Sequence, residues 1–124
     1  DVANLYLARI AAARGDVAGA RKLLDEFVRE HPDHVLVGAA RYSMYQLRIE
    51  NGEAAQVVAE LNAELAKTEE KVLPDDSVLI LLAYAYDTQG NAAKSRDMYR
   101  RIVTQYPDSP YAMDAQRRIG TGSA

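Results

Sequence analysis

The apolar positions of the chain fall into blocks with helical spacing. Ala20, Leu24, Phe27 and Val28 recur at three- and four-residue steps, which places them on one face of an α-helix. The block before them, "VANLYLARIAAA", is apolar around much of its girth and carries a single charge, Arg9. Further blocks read "VLVGAARYSMYQLRIE", "EAAQVVAELNAELAKTEEK", "DSVLILLAYAYDTQG" and "NAAKSRDMYRRIVTQ". This pattern predicts six helices in three pairs. A short seventh follows, with Ser109 as its cap, Pro110 at its first position, and Ala112, Ala115 and Ile119 as its apolar stripe.

The breaks between blocks recur. Arg14-Gly15-Asp16, Asn51-Gly52-Glu53 and Gln89-Gly90-Asn91 each separate two apolar runs, and Pro32, Pro74 and Pro107 are each followed by aspartate. Gly15 to Gly90 spans 75 residues, and so does Pro32 to Pro107 (15 to 90, 32 to 107). Two landmarks with one offset signal a repeated unit. Glycine ends the first helix of a pair, where a left-handed residue is needed. Asp16 or Asn91 then caps the second. The middle repeat is irregular. Its two glycine–proline intervals are longer, which predicts a first helix about one turn longer and a second helix or exit loop longer by about another turn. Repeat boundaries fall near 1–34, 35–75 and 76–109, with a terminal helix at 110–119 and a flexible tail at 120–124; together 1–119 reads as one domain.

When the first and third repeats are superimposed, Leu7 matches Leu82, Ala8 matches Ala83, Ala20 matches Ser95, Leu24 matches Tyr99, and Phe27 matches Ile102. A large residue followed by a small one, a glycine turn, a small residue, an apolar or aromatic residue and a closing proline is the tetratricopeptide (TPR) pattern. The chain resembles that family over nearly its whole length, although Asn4 and Leu79 stand at the tryptophan position of the motif. The exit "YPDSPYA" resembles TPR proteins of the bacterial cell envelope, of the Tol-Pal-associated, barrel-assembly-lipoprotein and Sec-translocon-accessory types. The resemblance implies an all-α, right-handed solenoid whose first helices line a concave groove for a protein segment. Carried over by position, it assigns to that groove Leu5 and Arg9, then Tyr42 and Gln46, then Ile80 and Tyr84, with Ala12, Ala13, Ala39, Ile49, Glu50, Ser77, Asp87 and Thr88 beside them. The lysines and asparagines of a carboxylate clamp are missing from these positions, so a chaperone-tail receptor is not expected.

Composition narrows the remaining classes. The 124 residues include no cysteine, which excludes a disulfide scaffold and a thiolate metal site. A net charge of −3 argues against a nucleic-acid partner. No apolar run nears the ~20 residues of a bilayer-spanning helix, and no signal peptide is expected among these residues. Because the chain opens on Asp1, it is expected to be a processed form or an excised domain, with any membrane anchor or further repeat upstream. The envelope or periplasm is the expected compartment on resemblance alone, and the residues themselves leave the cytoplasm open.

Candidate chemistry is sparse. Arg14-Gly15-Asp16 spells an adhesion signal, but its two counterparts keep the glycine and lose the arginine, as a turn would. His31 and His34 flank Pro32-Asp33 in the manner of two zinc ligands, yet a third strong ligand is absent and the stretch reads as a solvated loop. Glu60 and Glu64 share a helix face in the manner of acid/base pairs and read as a solvated outer face. No cofactor, metal or enzymatic activity is therefore expected. Residues 35–76 carry four basic and eight acidic side chains, while 77–124 carry six and four. That asymmetry, with the apolar first helix, makes self-assembly through exposed repeat ends the second reading beside a protein-binding scaffold.

Overall fold

The computed structural model describes residues 2–121. Among them are seven helices and no strand: α1 (Val2–Ala13), α2 (Val17–Glu30), α3 (Val37–Glu50), α4 (Ala54–Ala66), α5 (Asp75–Thr88), α6 (Ala92–Gln105) and α7 (Ala112–Thr121). In chain order they are three helix–turn–helix pairs and a terminal helix, as the repeat pattern predicts. The chain divides into two compact units, one ending at Asn51 and the other beginning at Gly52, so the middle pair is shared between them.

The turns inside the pairs are built alike. Gly15 has φ 80° and Gly90 φ 76°, values that strain a residue with a Cβ. The Asp16 amide donates to the Ala11 carbonyl at 2.8 Å and the Gly15 amide to Ala12 at 3.0 Å. At the third repeat, Asn91 donates to Tyr86 at 2.9 Å and Gly90 to Asp87 at 3.0 Å. These paired bonds satisfy carbonyls that a helix end leaves open. The next residue starts the following helix. The Asp16 carboxylate accepts from the Gly19 amide at 2.9 Å, and the Asn91 side chain accepts from Lys94 at 3.2 Å. Gly52 repeats the left-handed turn with φ 86°. Arg14-Gly15-Asp16 is thus a helix stop and a helix cap.

The irregular middle repeat differs from expectation. α3 has 14 residues, the same as α5, so its helix is not lengthened. The extra residues sit in the loop before it, where the His34 amide donates to the His31 carbonyl, the Leu36 amide to His34 Nδ1, and the Val37 amide to the His34 carbonyl, each at 3.0 Å. These successive tight turns occupy 31–37 and hold Val35 and Leu36 out of the helix. Likewise α4 ends at Ala66, and the surplus forms the loop leading to Pro74.

In the first unit α2 packs on α1 and on α3. Their core is Ala8, Ala20, Leu24, Phe27, Ala40 and Leu47. In the second unit α5 lies between α4 and α6, and α7 packs on α6. Val78 to Ala83 are six consecutive, fully buried residues of α5. Ser95, the counterpart of Ala20, donates its hydroxyl to the Ala83 carbonyl at 3.0 Å. Ser109 donates to Asp76 at 2.7 Å, anchoring the entry to α7 against the first turn of α5. α7 runs through Gly120 and Thr121, two residues expected in the tail; residues 122–124 lie outside the described chain.

Matching residues of the two outer repeats have different surroundings. Leu82 is fully buried, whereas Leu7 is 50% exposed. α5 has a helix on each flank within its unit, and α1 packs mainly on α2. Leu82→Ala should therefore cost about 2–5 kcal/mol, and Leu7→Ala no more than about 0.5 kcal/mol, in urea unfolding followed by circular dichroism. Gly90→Ala, with open space around the new methyl group, should cost about 1–2 kcal/mol through backbone strain alone.

Candidate functional site

Two short connections reverse the chain twice, so α1 and α3 run in the same direction on either side of their contacts with α2. Between them lies a cleft of about 510 Å³, within the range of ligand-binding cavities. Its α1 wall is Val2, Leu5, Tyr6, Ala8, Arg9 and Ala12; its α3 wall runs from Leu36 through Ala39, Ser43 and Gln46 to Glu50. Each set contains a run at three- and four-residue steps (2, 5, 9, 12 and 36, 39, 43, 46, 50), which is one face of each helix. Leu24 of α2 lies at the floor. Val2 and Tyr6 are 54% and 65% exposed, so the apolar end of the cleft opens to solvent.

The expected groove residues divide between this cleft and other places. Leu5, Arg9 and Gln46 line it, as do Ala12, Ala39 and Glu50. Tyr42 is half-buried on α3 and is not among the lining residues. Ile80 is fully buried in α5 and has no surface to offer a partner, which corrects the expectation for that residue. Tyr84 is half-buried in the second unit, where its carbonyl accepts from the Thr88 hydroxyl at 3.0 Å. Asp87 accepts from the Tyr99 hydroxyl at 3.4 Å. Burial first, and then the Asp87 charge, pushes the Tyr99 phenol up to about 12. Val2, Tyr6, Leu36 and Ser43 line the cleft without having been expected there. The signal for them was the three-four spacing around Leu5, Arg9 and Gln46, extended one step in each direction.

The residues with chemical potential have structural duties. His31 and His34 both pack on Phe27, with ring centroids 5.2 and 5.1 Å away. His34 Nδ1 also accepts from the Leu36 amide, which fixes the loop. Among the described residues no group of histidines and carboxylates has the arrangement of a metal site. Glu64 departs from the expected solvated face, being only 6% exposed. Its carboxylate accepts from the Val72 amide and from the Leu73 amide (3.3 Å), and pairs with Lys67 at 3.0 Å. Lys71 adds a contact to the Leu65 carbonyl at 3.2 Å and an ion pair to Asp75 at 2.6 Å. Together these groups fasten the long α4–α5 loop, in which Glu70 takes the left-handed conformation at φ 55°.

The comparison with protein families follows the repeat pattern to its end. A model described as YfiO, outer membrane lipoprotein, matches residues 2–121. The chain belongs to the YfiO family. It is accordingly a TPR-type helical repeat protein of the bacterial envelope, in a family whose role is protein interaction. No curated protein matches the sequence. No helix among the described residues is long and apolar enough to cross a membrane.

Burial raises the Glu64 pKa, but Lys67 and the two amides more than offset this and hold the carboxyl below its usual 4.5. Its contribution to stability is therefore complete above pH 4.5 and disappears as pH falls through the lower folded value. Glu64→Ala leaves two loop amides without their acceptor and should cost about 1–3 kcal/mol at pH 7. Glu64→Gln keeps an acceptor, should cost less, and should flatten the acid limb of a thermal-stability profile measured between pH 3 and 7.

Proposed function

We propose that this YfiO-family chain is a non-catalytic scaffold that takes a segment of a partner protein into the cleft between α1 and α3, within an outer-membrane assembly. The observation that carries this reading is the cleft itself. Two parallel helices present one continuous face each, apolar at Val2, Leu5, Tyr6 and Leu36 and polar at Arg9, Ser43, Gln46 and Glu50. Apolar anchor sites beside hydrogen-bonding groups are what a protein segment needs to bind with both affinity and register. Tyr6 and Arg9 are of the residue types that most often dominate such contacts. Leu5, Arg9 and Gln46 form the proposed site; Tyr42 and Tyr84 are secondary members outside this cleft, and Ile80 is withdrawn.

The absence of chemistry in the proposal is supported by how the reactive side chains are used. The histidines pack on Phe27 and hold one loop, and Glu64 fastens another, so the contacts these groups make are structural. The partner is a protein; an acidic chain with net charge −3 favours neither DNA nor RNA. A second reading, homo-oligomerisation, is favoured by the apolar exposure of α1, where Leu7 adds to Val2 and Tyr6. Burying such a face against another copy would remove it from water.

A photo-crosslinking side chain at Ser43, introduced into the protein in its native envelope, should capture a partner, and the same group at Met113 of α7 should not. Tyr6→Ser with Leu36→Ser should reduce capture at least tenfold while circular dichroism stays unchanged. Equal capture by the double variant would remove the cleft from the function. Capture of a second copy, together with a dimer in sedimentation, would select the oligomer reading.

A further inference from the structure

The charges in the cleft carry information about what occupies it. Of the residues that line it, only Arg9 and Glu50 are charged. Both are exposed, and among the described residues neither side chain forms an ion pair or a hydrogen bond. Ion pairs made elsewhere on the surface show that close partners are readily found, for example Arg29 with Asp25 at 3.2 Å. The two cleft charges are instead held apart by their place in the helices. Val2 and Leu36 begin the two walls. On one wall Arg9 lies seven residues after Val2; on the other Ser43 lies seven after Leu36 and Glu50 seven further on. At 1.5 Å per residue these steps are about 10 Å each. The cleft therefore presents an apolar end, a positive charge about 10 Å along it, and a negative charge about 10 Å beyond that.

We infer that the segment bound in this cleft is an amphipathic helix carrying an apolar, an acidic and a basic residue in that order along one face, at seven-residue steps. The inference rests on the cleft being the binding site. Seven residues is two helical turns, so the three side chains of such a helix share a face and match the spacing of the walls. The apolar residue enters between Val2, Tyr6 and Leu36. The acidic residue meets Arg9, where its fork of donors suits a carboxylate. The basic residue meets Glu50, the last residue of α3, where the negative end of the helix also favours a cation. A segment with its two charges exchanged sets like against like at both places, so the cleft discriminates by repulsion as well as by attraction.

The test uses synthetic helical peptides of about 20 residues, three heptads, with leucine, glutamate and lysine at the three positions. They are made in both chain directions, and a second set has glutamate and lysine exchanged. Binding to the whole protein is read by fluorescence anisotropy at low salt. In at least one direction the matched peptide should bind about tenfold more tightly than either exchanged peptide, and the preference should fade as salt rises, because the paired charges are exposed. Arg9→Glu combined with Glu50→Lys should reverse the preference, a result that loss of folding cannot imitate. Equal binding of matched and exchanged peptides, or an unchanged preference in the double variant, overturns the charge order and leaves the cleft as the binding site. Failure of all peptides to bind, with the protein folded, overturns the cleft reading and this inference with it.

Discussion

The close approach of paired helices is the constraint on which the rest of this structure depends. Ala8 of α1 and Ala20 of α2 share one core, Ser95 of α6 bonds the Ala83 carbonyl of α5, and all four of these small residues are buried. A larger side chain at any of these places would push the helices apart, since interiors packed to crystal density have no room to absorb it. Once each pair is closed by small residues, the second helix turns its apolar stripe inward. Leu24 and Phe27 do so in the first unit, as do Tyr99 and Ile102 in the second. In the first unit α2 is then enclosed between α1 and α3, and those two outer helices are left with faces directed at the cleft. Cleft and core are thus two sides of one packing solution.

Much of this was legible in the sequence because its marks are local. A glycine that must be left-handed, an oxygen-bearing cap after it, and a small residue at a crossing are properties of single positions, and Gly15, Asp16 and Ala20 each occupy the place assigned to them. What failed to show was where surplus residues go. Val35 and Leu36 are apolar and read as the start of a helix; only the turn built around His34 reveals that they precede it. The residues after Ala66 read as more of an amphipathic helix until the Glu64 carboxylate is seen gathering the amides of Val72 and Leu73. That interaction spans eight or nine residues and leaves no periodic trace. For the same reason Leu5 and Ile80 are equivalent in sequence and opposite in fate. Spacing identifies a face and is silent about what covers it.

The chemistry of the chain follows the same economy. Side chains that elsewhere serve catalysis are consumed in holding two long loops: imidazoles against Phe27 in one, a carboxylate under backbone amides in the other. One loop precedes α3 and the other follows α4, so they bracket the helices of the middle repeat, the one that departs from the regular length. The cost of irregular connections is met by specific polar contacts, because short helices joined by long loops gain little from burial alone. A family of envelope proteins that works by contact can place its reactive groups in this way without losing function.

The unequal flanking of α1 and α5 also has a kinetic meaning. A helix packed on both sides by its neighbours in sequence gathers most of its contacts over short loops, so it can form early and resist opening late. α5, with its six buried residues in succession, has that character in its unit. α1 is held mainly by one neighbour and has a single buried residue, Ala8. α3, like α1, is held mainly by α2 within that unit, so local opening of the first unit would start at these two outer helices. Both walls of the cleft are therefore flanked on one side, and a ligand bound between them would act as the second flank of each.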